Sequence, residues 1–275
     1  MGMEEFMALY QFAPENTEKV GVEIECHLAE NGQIAPIAHR ILMGIKTIAP
    51  ELSDCFTYEL SACQLEWRTP EACPIENLRR NILEVEGVIK EAEKKLRFSR
   101  IFCPVAPEDM PLDVYPDTRY LGITKDLPRQ VLLAACRVAG VHIHIGMPSH
   151  AEAMAVYNKA VESFKYLCRL GATDQRISEY CRAAIGMNAK MDIFQKHMIT
   201  KFFPPRYANW EEFYQRAVNE RFDNDPRQLW DFIRISKHGT IEFRMFDTTE
   251  DIDEIVFWAR VCYGICQQAL AQNVA

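Results

Sequence analysis

The chain has 275 residues, of which 48% are hydrophobic and 25% are charged, so we predict one domain with a large core over residues 1–275. Its formal net charge of −8 argues against a nucleic-acid partner, because a phosphate-binding face needs clustered Lys and Arg. No stretch offers the roughly 18 uncharged apolar residues of a membrane span, and the 10 cysteines lie in apolar contexts without a CxxC pair. These features predict a cytoplasmic protein with reduced thiols that acts on small molecules.

The first extended segment covers residues 20–28. Apolar and polar side chains alternate there with the period of two that is typical of a β-strand. One face of this strand is apolar, and the opposite face carries Glu23 and Glu25. The segment therefore predicts a strand with one buried face and one acidic face.

A second extended pair is predicted over residues 56–69. If this segment folds as a hairpin centred between residues 62 and 63, Glu59 lies directly opposite Glu66. Like charges in that position repel each other. The two carboxylates therefore need a positive charge between them.

Helical spacing, capping residues and Pro-rich composition predict the elements that follow. They are a helix over 74–98, an irregular loop over 103–128, a strand over 137–147, a helix over 149–170, a helix beginning near residue 210, a hairpin over 230–248 and a final helix over 250–272. Strands and helices are mixed without a repeating βαβ order, so the sequence predicts the α+β class.

Three of the predicted strands share an unusual polar face, opposite an apolar one. The polar faces carry Glu23 and Glu25, His142 and His144, and Glu242 and Arg244. One interpretation is the solvated side of an ordinary antiparallel sheet. The other is a cation site, because neighbouring carboxylates tolerate each other when divalent ions lie between them, and carboxylate oxygens with an imidazole suit Mg²⁺ or Mn²⁺.

The second hairpin has a similar problem with positive charges. With the turn centred at Gly239, Arg234 lies opposite Arg244, and Ser236 lies opposite Glu242. Facing guanidinium groups need an anion, and a phosphate fits their donors, so Arg234, Ser236 and Arg244 are candidates for binding ATP. A shifted register or salt bridges to the glutamates would remove this need, and that alternative stays open. No GxxxxGK[ST] loop occurs, so ATP would be bound by metal ions and arginines.

Five segments in order carry a resemblance to a known family. They are GVEIE at 21–25, YELSACQLEWRTP at 58–70, TRYLG at 118–122, GVHIHIG at 140–146 and TIEFRMFDT at 240–248. In this set the chain resembles the carboxylate-amine ligases of the glutamine synthetase superfamily, most closely the second family of glutamate-cysteine ligases. The resemblance implies a curved, mainly antiparallel sheet with helices on its convex side, and a concave face that holds ATP and two or three Mg²⁺ or Mn²⁺ ions.

The resemblance also implies roles for individual residues. His144 matches a histidine that faces the phosphates, Arg244 matches an arginine that stabilises the transferred phosphoryl group, and Glu59 is a second catalytic candidate. The residues that match metal ligands of the family are Glu23, Glu25, Glu59, Glu66, His142 and Glu242.

Two positions are candidates for binding the substrate. Arg119 lies in TRYLG, where the family has an arginine near the substrate, although a surface arginine is an equal alternative. Arg182 is a candidate for the substrate-side arginine of the family, and Arg176 is the other residue that could match it. The region between residues 171 and 210 matches only loosely, so the ligase chemistry transfers better than the substrates do.

The resemblance and the strand faces together predict an ATP-dependent carboxylate-amine ligase. It would form an amide at the γ-carboxylate of a glutamate-like substrate through an acyl phosphate. A metal-dependent hydrolase is the alternative enzyme, since HxH with carboxylates also suits zinc-activated water. An inactive ligase-like domain that binds a ligand is the non-enzymatic alternative. The sequence leaves the oligomeric state open, a homo-oligomer included.

Overall fold

A computed structural model describes residues 1–172, 174–185 and 203–273, without the side chains of residues 180–185 and 273. Among the described residues, no helix is both long and apolar enough to cross a membrane. The α-helices are α1 Met3–Met7, α2 Ala38–Ile48, α3 Leu78–Leu96, α4 Thr118–Thr124, α5 Arg129–Arg137, α6 His150–Glu162, α7 Phe164–Leu170, α8 Asp174–Ile185, α9 Trp210–Glu220 and α10 Ile252–Asn273. Short 3-10 turns lie at Pro14–Asn16, Pro50–Cys55, Ile75–Asn77 and Pro226–Gln228.

All the described strands belong to one antiparallel sheet. They are β1 Val20–Glu30, β2 Gln33–Ile34, β3 Phe56–Tyr58, β4 Gln64–Arg68, β5 Ser99–Ile101, β6 Gly140–Gly146, β7 Ile233–Ser236 and β8 Thr240–Asp247. Their order is β3-β4-β1-β6-β8-β7, and β2 and β5 also pair with β1. This mixture of helices and an antiparallel sheet confirms the α+β class.

The apolar faces of the central strands form the core. Val141, Ile143 and Ile145 of β6 are fully buried, as are Ile241 and Phe243 of β8. Helices α3, α6 and α10 pack against the sheet. Burial of each such side chain contributes roughly 1.5–3 kcal/mol, so the apolar alternation determines which strand face is left for polar groups.

The first predicted hairpin is present, but its register differs from the prediction by two residues. Thr57, and not Glu59, lies opposite Glu66. The connection is longer than a two-residue turn, because its backbone bonds to a distant segment: the amide of Ala62 donates to the carbonyl oxygen of Asp113 at 2.8 Å. Glu59 therefore lies in the loop just beyond the end of β3.

The second hairpin also differs from the prediction by two residues. Arg234 lies opposite Glu242, so the prediction that it faces Arg244 is wrong. Ser236 lies opposite Thr240 and not opposite Glu242. The turn is shorter than predicted, and the facing guanidinium pair is replaced by an arginine that faces a carboxylate.

The turn between β7 and β8 requires a residue without a side chain. Gly239 has a φ of +71°, and a Cβ atom at this position would lie 2.1 Å from the backbone oxygen of Gln11. Gly239→Ala should therefore lower the free energy of unfolding by about 2 kcal/mol or more, as measured by urea denaturation. Gly264→Ala is the control, because Gly264 lies in α10 with open space around it, and alanine there should stabilise by about 0.5–1 kcal/mol. This account would be contradicted if Gly239→Ala and Gly264→Ala changed the free energy of unfolding in the same direction and by the same amount.

A β-bulge interrupts the pairing of β6 with β8. Ile143 lies opposite Phe243, but Val141 lies opposite Phe246, so β8 has one more residue than β6 in this interval. The extra residue lies beside Arg244. Bulges often re-aim a side chain next to a functional site, and this one changes the direction of the strand at the predicted catalytic arginine.

The other predicted elements are confirmed with shifted ends. The helix predicted over 74–98 is α3, preceded by a 3-10 turn, and the helix predicted over 149–170 is divided into α6 and α7. The strand predicted over 137–147 begins only at Gly140, because Arg137 ends α5 and residues 138–139 connect that helix to the strand. The loop predicted over 103–128 contains α4, while the helix near residue 210 and the final helix are α9 and α10.

Candidate active site

The order of the strands brings the three polar faces together. Glu23 of β1 lies opposite His142 of β6, and His144 lies opposite Glu242 of β8. Nδ1 of His142 is 3.2 Å from Oε2 of Glu23, and its Nε2 is 3.3 Å from Oε1 of Glu25. These side chains are largely buried. The polar faces therefore form one enclosed cluster and not three solvated surfaces.

Glu242 is the fully buried centre of one side of the cluster. Nε of Arg234 donates to its Oε2 at 2.7 Å, and Nη1 of Arg244 donates to its Oε1. Burial by itself would raise the pKa of Glu242, but Arg234, His144 and Arg244 hold that pKa well below its usual range. Glu242 is therefore an anion that lies between the two arginines.

A second group of carboxylates lies on the β4 side of β1. Glu25 lies opposite Glu66, and Glu59 approaches both from the loop after β3. Burial, together with neighbouring Glu59, raises the pKa of Glu25 to about 8. Burial also raises the pKa of Glu59, and burial together with Glu23 and Glu59 raises the pKa of Glu66. Glu25 therefore holds a proton near neutral pH unless a cation replaces it, and the raised pKa values of Glu59 and Glu66 act in the same direction.

The two histidines differ in their electrostatic surroundings. Burial and Arg244 lower the pKa of His142 to about 4, so its imidazole is neutral. Burial by itself would lower the pKa of His144, but the carboxylates of Glu242 and Glu23 raise it. Burial would likewise raise the pKa of Glu23, but His144 and His142 hold it well below its usual range. A neutral imidazole beside carboxylates is a suitable metal ligand.

Three overlapping groups of side chains could hold cations. His144 Nε2 is buried and makes no hydrogen bond to any described residue, although Glu23 Oε1 lies 3.5 Å away. An atom of this kind fits a metal ligand, and carboxylate oxygens with one imidazole suit Mg²⁺ or Mn²⁺. The groups, each with ligand atoms within 4.8 Å of one another, are Glu23, His144 and Glu242; Glu23, Glu66 and His142; and Glu25, Glu59 and Glu66.

Two cavities meet at the cluster. The inner cavity, of about 60 Å³, has five apolar side chains in its lining, and its other lining side chains, Gln64 and Arg176 among them, are polar or charged. The outer cavity, of about 170 Å³, is lined by four arginines, among them Arg119, Arg227 and Arg234, and by four glutamates. The side chains that line both cavities are Glu59, His142, Trp230 and Arg244. The predicted catalytic residues therefore lie at the boundary between a highly charged space and a more apolar one.

The remaining predicted residues have different surroundings. Arg119 lines the outer cavity, where its Nε is 3.8 Å from Oδ2 of Asp225. Ser236 is buried, and its Oγ accepts a hydrogen bond from the amide of His238 at 3.4 Å. Ser236 is not among the described residues that line either cavity. Arg182 is in α8, but its side chain lies outside the described part of the chain.

The structure adds Trp230 to the site and places Arg176, one of the two arginines considered for the substrate side, in the lining of the inner cavity. Arg176 is 4% exposed, and its Nε donates to Oδ1 of Asp247 at 2.7 Å. Gly140 makes room for this arginine, since a Cβ atom there would lie 2.4 Å from Nη1 of Arg176. Gly140 is the first residue of β6, and a glycine in a strand was the sequence signal that another group approaches the backbone closely. No periodic pattern pointed to Trp230, because it lies outside the regular elements.

Binding of Mn²⁺ to the cluster should release protons at pH 7. The cation binds ionised carboxylates, whereas burial keeps the pKa of Glu25 at about 8 and raises the pKa of Glu59 and Glu66. The affinity should therefore rise from pH 6.5 to pH 8, as measured by calorimetry in two buffers of different ionisation enthalpy. The Glu25→Gln variant should release fewer protons when it binds Mn²⁺. A Mn²⁺ affinity that does not change with pH in the unaltered protein would contradict this account.

The resemblance found in the sequence is confirmed by comparisons with known proteins. The family described as "Putative amidoligase enzyme" matches residues 16–266. A protein of Solibacter usitatus named "Putative glutamate--cysteine ligase 2" is 27% identical in an alignment of 162 residues that covers 56% of this chain and 40% of that protein. A protein of the same name from Leifsonia xyli subsp. xyli is 23% identical in an alignment of 277 residues that covers 97% of this chain and 71% of that protein.

Solved structures of similar fold include that of a synthetase. The crystal structure of a bifunctional glutathione synthetase from Pasteurella multocida aligns with 98% of this chain and 42% of that chain, with a TM-score of 0.59 and 11% sequence identity. The chain thus spans less than half of that protein and between 40% and 71% of the two ligase-named relatives. Because the family match covers most of the sequence, the chain belongs to this amidoligase family.

Proposed function

We propose that the protein is an ATP-dependent ligase that joins a carboxylate to an amine through an acyl phosphate. The observation that carries the proposal is the carboxylate and histidine cluster between a cavity lined by arginines and glutamates and a more apolar one, with Glu59, His142 and Arg244 on the boundary. Membership of an amidoligase family supports amide formation. The names of the relatives suggest a glutamate-like substrate that reacts through its γ-carboxylate.

The proposal includes the architecture. We propose that residues 1–275 form one domain and that the curved sheet corresponds to the catalytic domain of glutamine synthetases. An antiparallel sheet with helices packed against it and a cluster of charged groups on its polar face supports this assignment. An enzyme that consumes ATP and keeps its cysteines reduced would work in the cytoplasm.

The outer cavity would bind the triphosphate of ATP. Arg119, Arg227 and Arg234 line it, and guanidinium groups match phosphate oxygens in charge and in donor geometry. An adjoining cavity of about 310 Å³ shares Arg119 and Arg227 and is also lined by Tyr58 and Tyr120. This space would accommodate the rest of the nucleotide against aromatic rings.

The carboxylates and histidines would hold two or three Mg²⁺ or Mn²⁺ ions. Such ions neutralise charge as a phosphoryl group moves, and in phosphoryl transfer this electrostatic and positioning work is most of the catalysis. Arg244 would donate hydrogen bonds to the transferred phosphoryl group. Its Nη1 lies 3.3 Å from Nδ1 of His142 and is bonded to Glu242, so the guanidinium is already oriented before substrates bind.

The reaction would proceed in two balanced steps. An oxygen of the substrate carboxylate attacks the γ-phosphorus of ATP, and ADP leaves, giving an acyl phosphate. The amine nitrogen then attacks the acyl carbon, the bond from that carbon to the phosphate oxygen breaks, and phosphate leaves with the electron pair. Glu59, which lines both cavities, would accept the proton that the amine loses.

The test is an incubation with ATP, Mg²⁺ or Mn²⁺, and pools of acidic amino acids and amines. Phosphate release and the mass of any condensed product are measured together. We expect amine-dependent phosphate release with an equal amount of amide, and its loss in Glu23→Ala. Turnover without ATP would indicate a metal-dependent hydrolase instead, and nucleotide binding without ADP formation would indicate a ligand-binding domain.

A further inference from the structure

Trp230 lies at the boundary between the inner and outer cavities. Its side chain lines both, and it is half-buried. The other described residues that line both cavities are Glu59, His142 and Arg244, which are charged or polar members of the cluster. The indole is therefore the apolar part of this boundary.

The backbone before Trp230 is held by the cluster itself. The carbonyl oxygen of Leu229 accepts a hydrogen bond from Nη1 of Arg234 at 2.6 Å. Nε of the same arginine donates to Glu242, so one guanidinium bonds both the carboxylate cluster and the residue before the indole. Leu229 is 1% exposed, which fixes its position further.

The backbone after Trp230 is held equally firmly. Asp231 is fully buried, and its Oδ1 accepts a hydrogen bond from Nη2 of Arg216 at 2.9 Å. The carbonyl oxygen of Phe232 accepts a hydrogen bond from the amide of Arg244 at 2.7 Å. Since its neighbours on both sides are fixed, the indole has the support that a positioned site residue needs.

An acyl phosphate reacts with water as well as with an amine. When water attacks, its oxygen forms a bond to the acyl carbon, the bond from that carbon to the phosphate oxygen breaks, and phosphate leaves with the electron pair. One proton of the water goes to the phosphate and the other to solvent, and the free carboxylate is regenerated. ATP is then consumed without amide formation. A ligase of the proposed kind must therefore keep water from the boundary where the acyl phosphate forms.

We propose that Trp230 is a positioning residue that closes this boundary against water and so directs the acyl phosphate to the amine. The inference rests on the proposed ligase function. A large, flat, apolar side chain between the two cavities excludes water without competing for the phosphate or for the cations. The conservative variant Trp230→Phe should retain much of this effect, because a smaller ring still occupies the boundary.

The test is the ratio of phosphate released to amide formed, measured with ATP, Mn²⁺ and the substrates identified for the unaltered protein. We expect a ratio near one for the unaltered protein and for Trp230→Phe, and a rise of about 10-fold or more for Trp230→Ala and Trp230→Leu. The control is Trp258→Phe, because Trp258 stacks on Phe246 at a centroid distance of 5.0 Å and lines neither cavity, so it should leave the ratio unchanged.

The inference and the proposed function fail in different ways. Amide formation by the unaltered protein together with an unchanged ratio in Trp230→Ala and Trp230→Leu would overturn the inference alone. The inference would also be overturned if Trp258→Phe raised the ratio of phosphate to amide as much as Trp230→Ala and Trp230→Leu do. No amide from the unaltered protein with any pool would overturn the proposed function and the inference together. Two truncating variants are used so that failure of one to fold still leaves a result.

Discussion

Replacing Arg244 by Met should lower the rate of ATP-dependent amide formation by about 10³-fold or more. The guanidinium lies at the boundary of both cavities and is oriented by Glu242 and His142, so it would donate where charge develops on the phosphoryl group. Glu242 keeps Arg234 as a partner in this variant, so the fold should survive. The measurement is single-turnover phosphate release with saturating ATP.

Two further arginine variants make this result interpretable. Arg79→Met is the matched control, because Arg79 lies on the surface, paired with exposed Asp253, and its loss should leave the rate unchanged. Arg244→Lys keeps the charge but not the planar pair of donors, so it should recover only part of the rate. A rate for Arg244→Met within about 10-fold of the unaltered protein would reject the assigned role.

Glu242→Ala should lower the free energy of unfolding by about 3–5 kcal/mol when a chelator is present. Glu242 is fully buried between Arg234 and Arg244, and removal of one partner of a buried ion pair leaves the other charges uncompensated. The variant should also lose the cation affinity that depends on the group of Glu23, His144 and Glu242. Urea denaturation and Mn²⁺ titration measure the two effects.

The control for this variant is a surface glutamate. Glu250 is exposed, so Glu250→Ala should change the free energy of unfolding by no more than about 0.5 kcal/mol and leave Mn²⁺ binding as it was. A similarly small effect for Glu242→Ala would mean that the two arginines do not depend on this carboxylate. Mn²⁺ binding that is retained in Glu242→Ala would show that this carboxylate is not needed to bind the cation.

The polar faces could be predicted from the sequence, whereas the pairing across the hairpins could not. Both predicted registers differ from the observed ones by two residues: Thr57 replaces Glu59 opposite Glu66, and Glu242 replaces Arg244 opposite Arg234. A strand repeats every two residues, so an even shift keeps every side chain on its face and changes only its partner. The residues of the cluster were therefore predicted correctly although both registers were wrong. The wrong register affects only the anion that was predicted between Arg234 and Arg244.

Two site residues depend on long-range packing that no local pattern reports. Arg176 reaches the inner cavity from α8 because Gly140 leaves space and Asp247 binds its guanidinium. Trp230 reaches the boundary because Arg216 of α9 and Arg234 of β7 hold its neighbours. Such contacts are set by how helices and loops pack on the sheet, and sequence periodicity contains no information about that arrangement.

The β-bulge reverses the phase of β8. Before it, the even-numbered residues Glu242 and Arg244 point toward the site, whereas after it the even-numbered Phe246 packs in the core and the odd-numbered Asp247 binds Arg176. One extra residue thus lets a single strand present Arg244 to the cluster and Asp247 to Arg176 of the inner cavity. A deletion of one residue at this point would exchange the faces of Phe246 and Asp247, which puts a carboxylate into the core and removes the partner of Arg176. The length of β8, and not only its composition, is therefore a condition for holding Arg176 at the inner cavity.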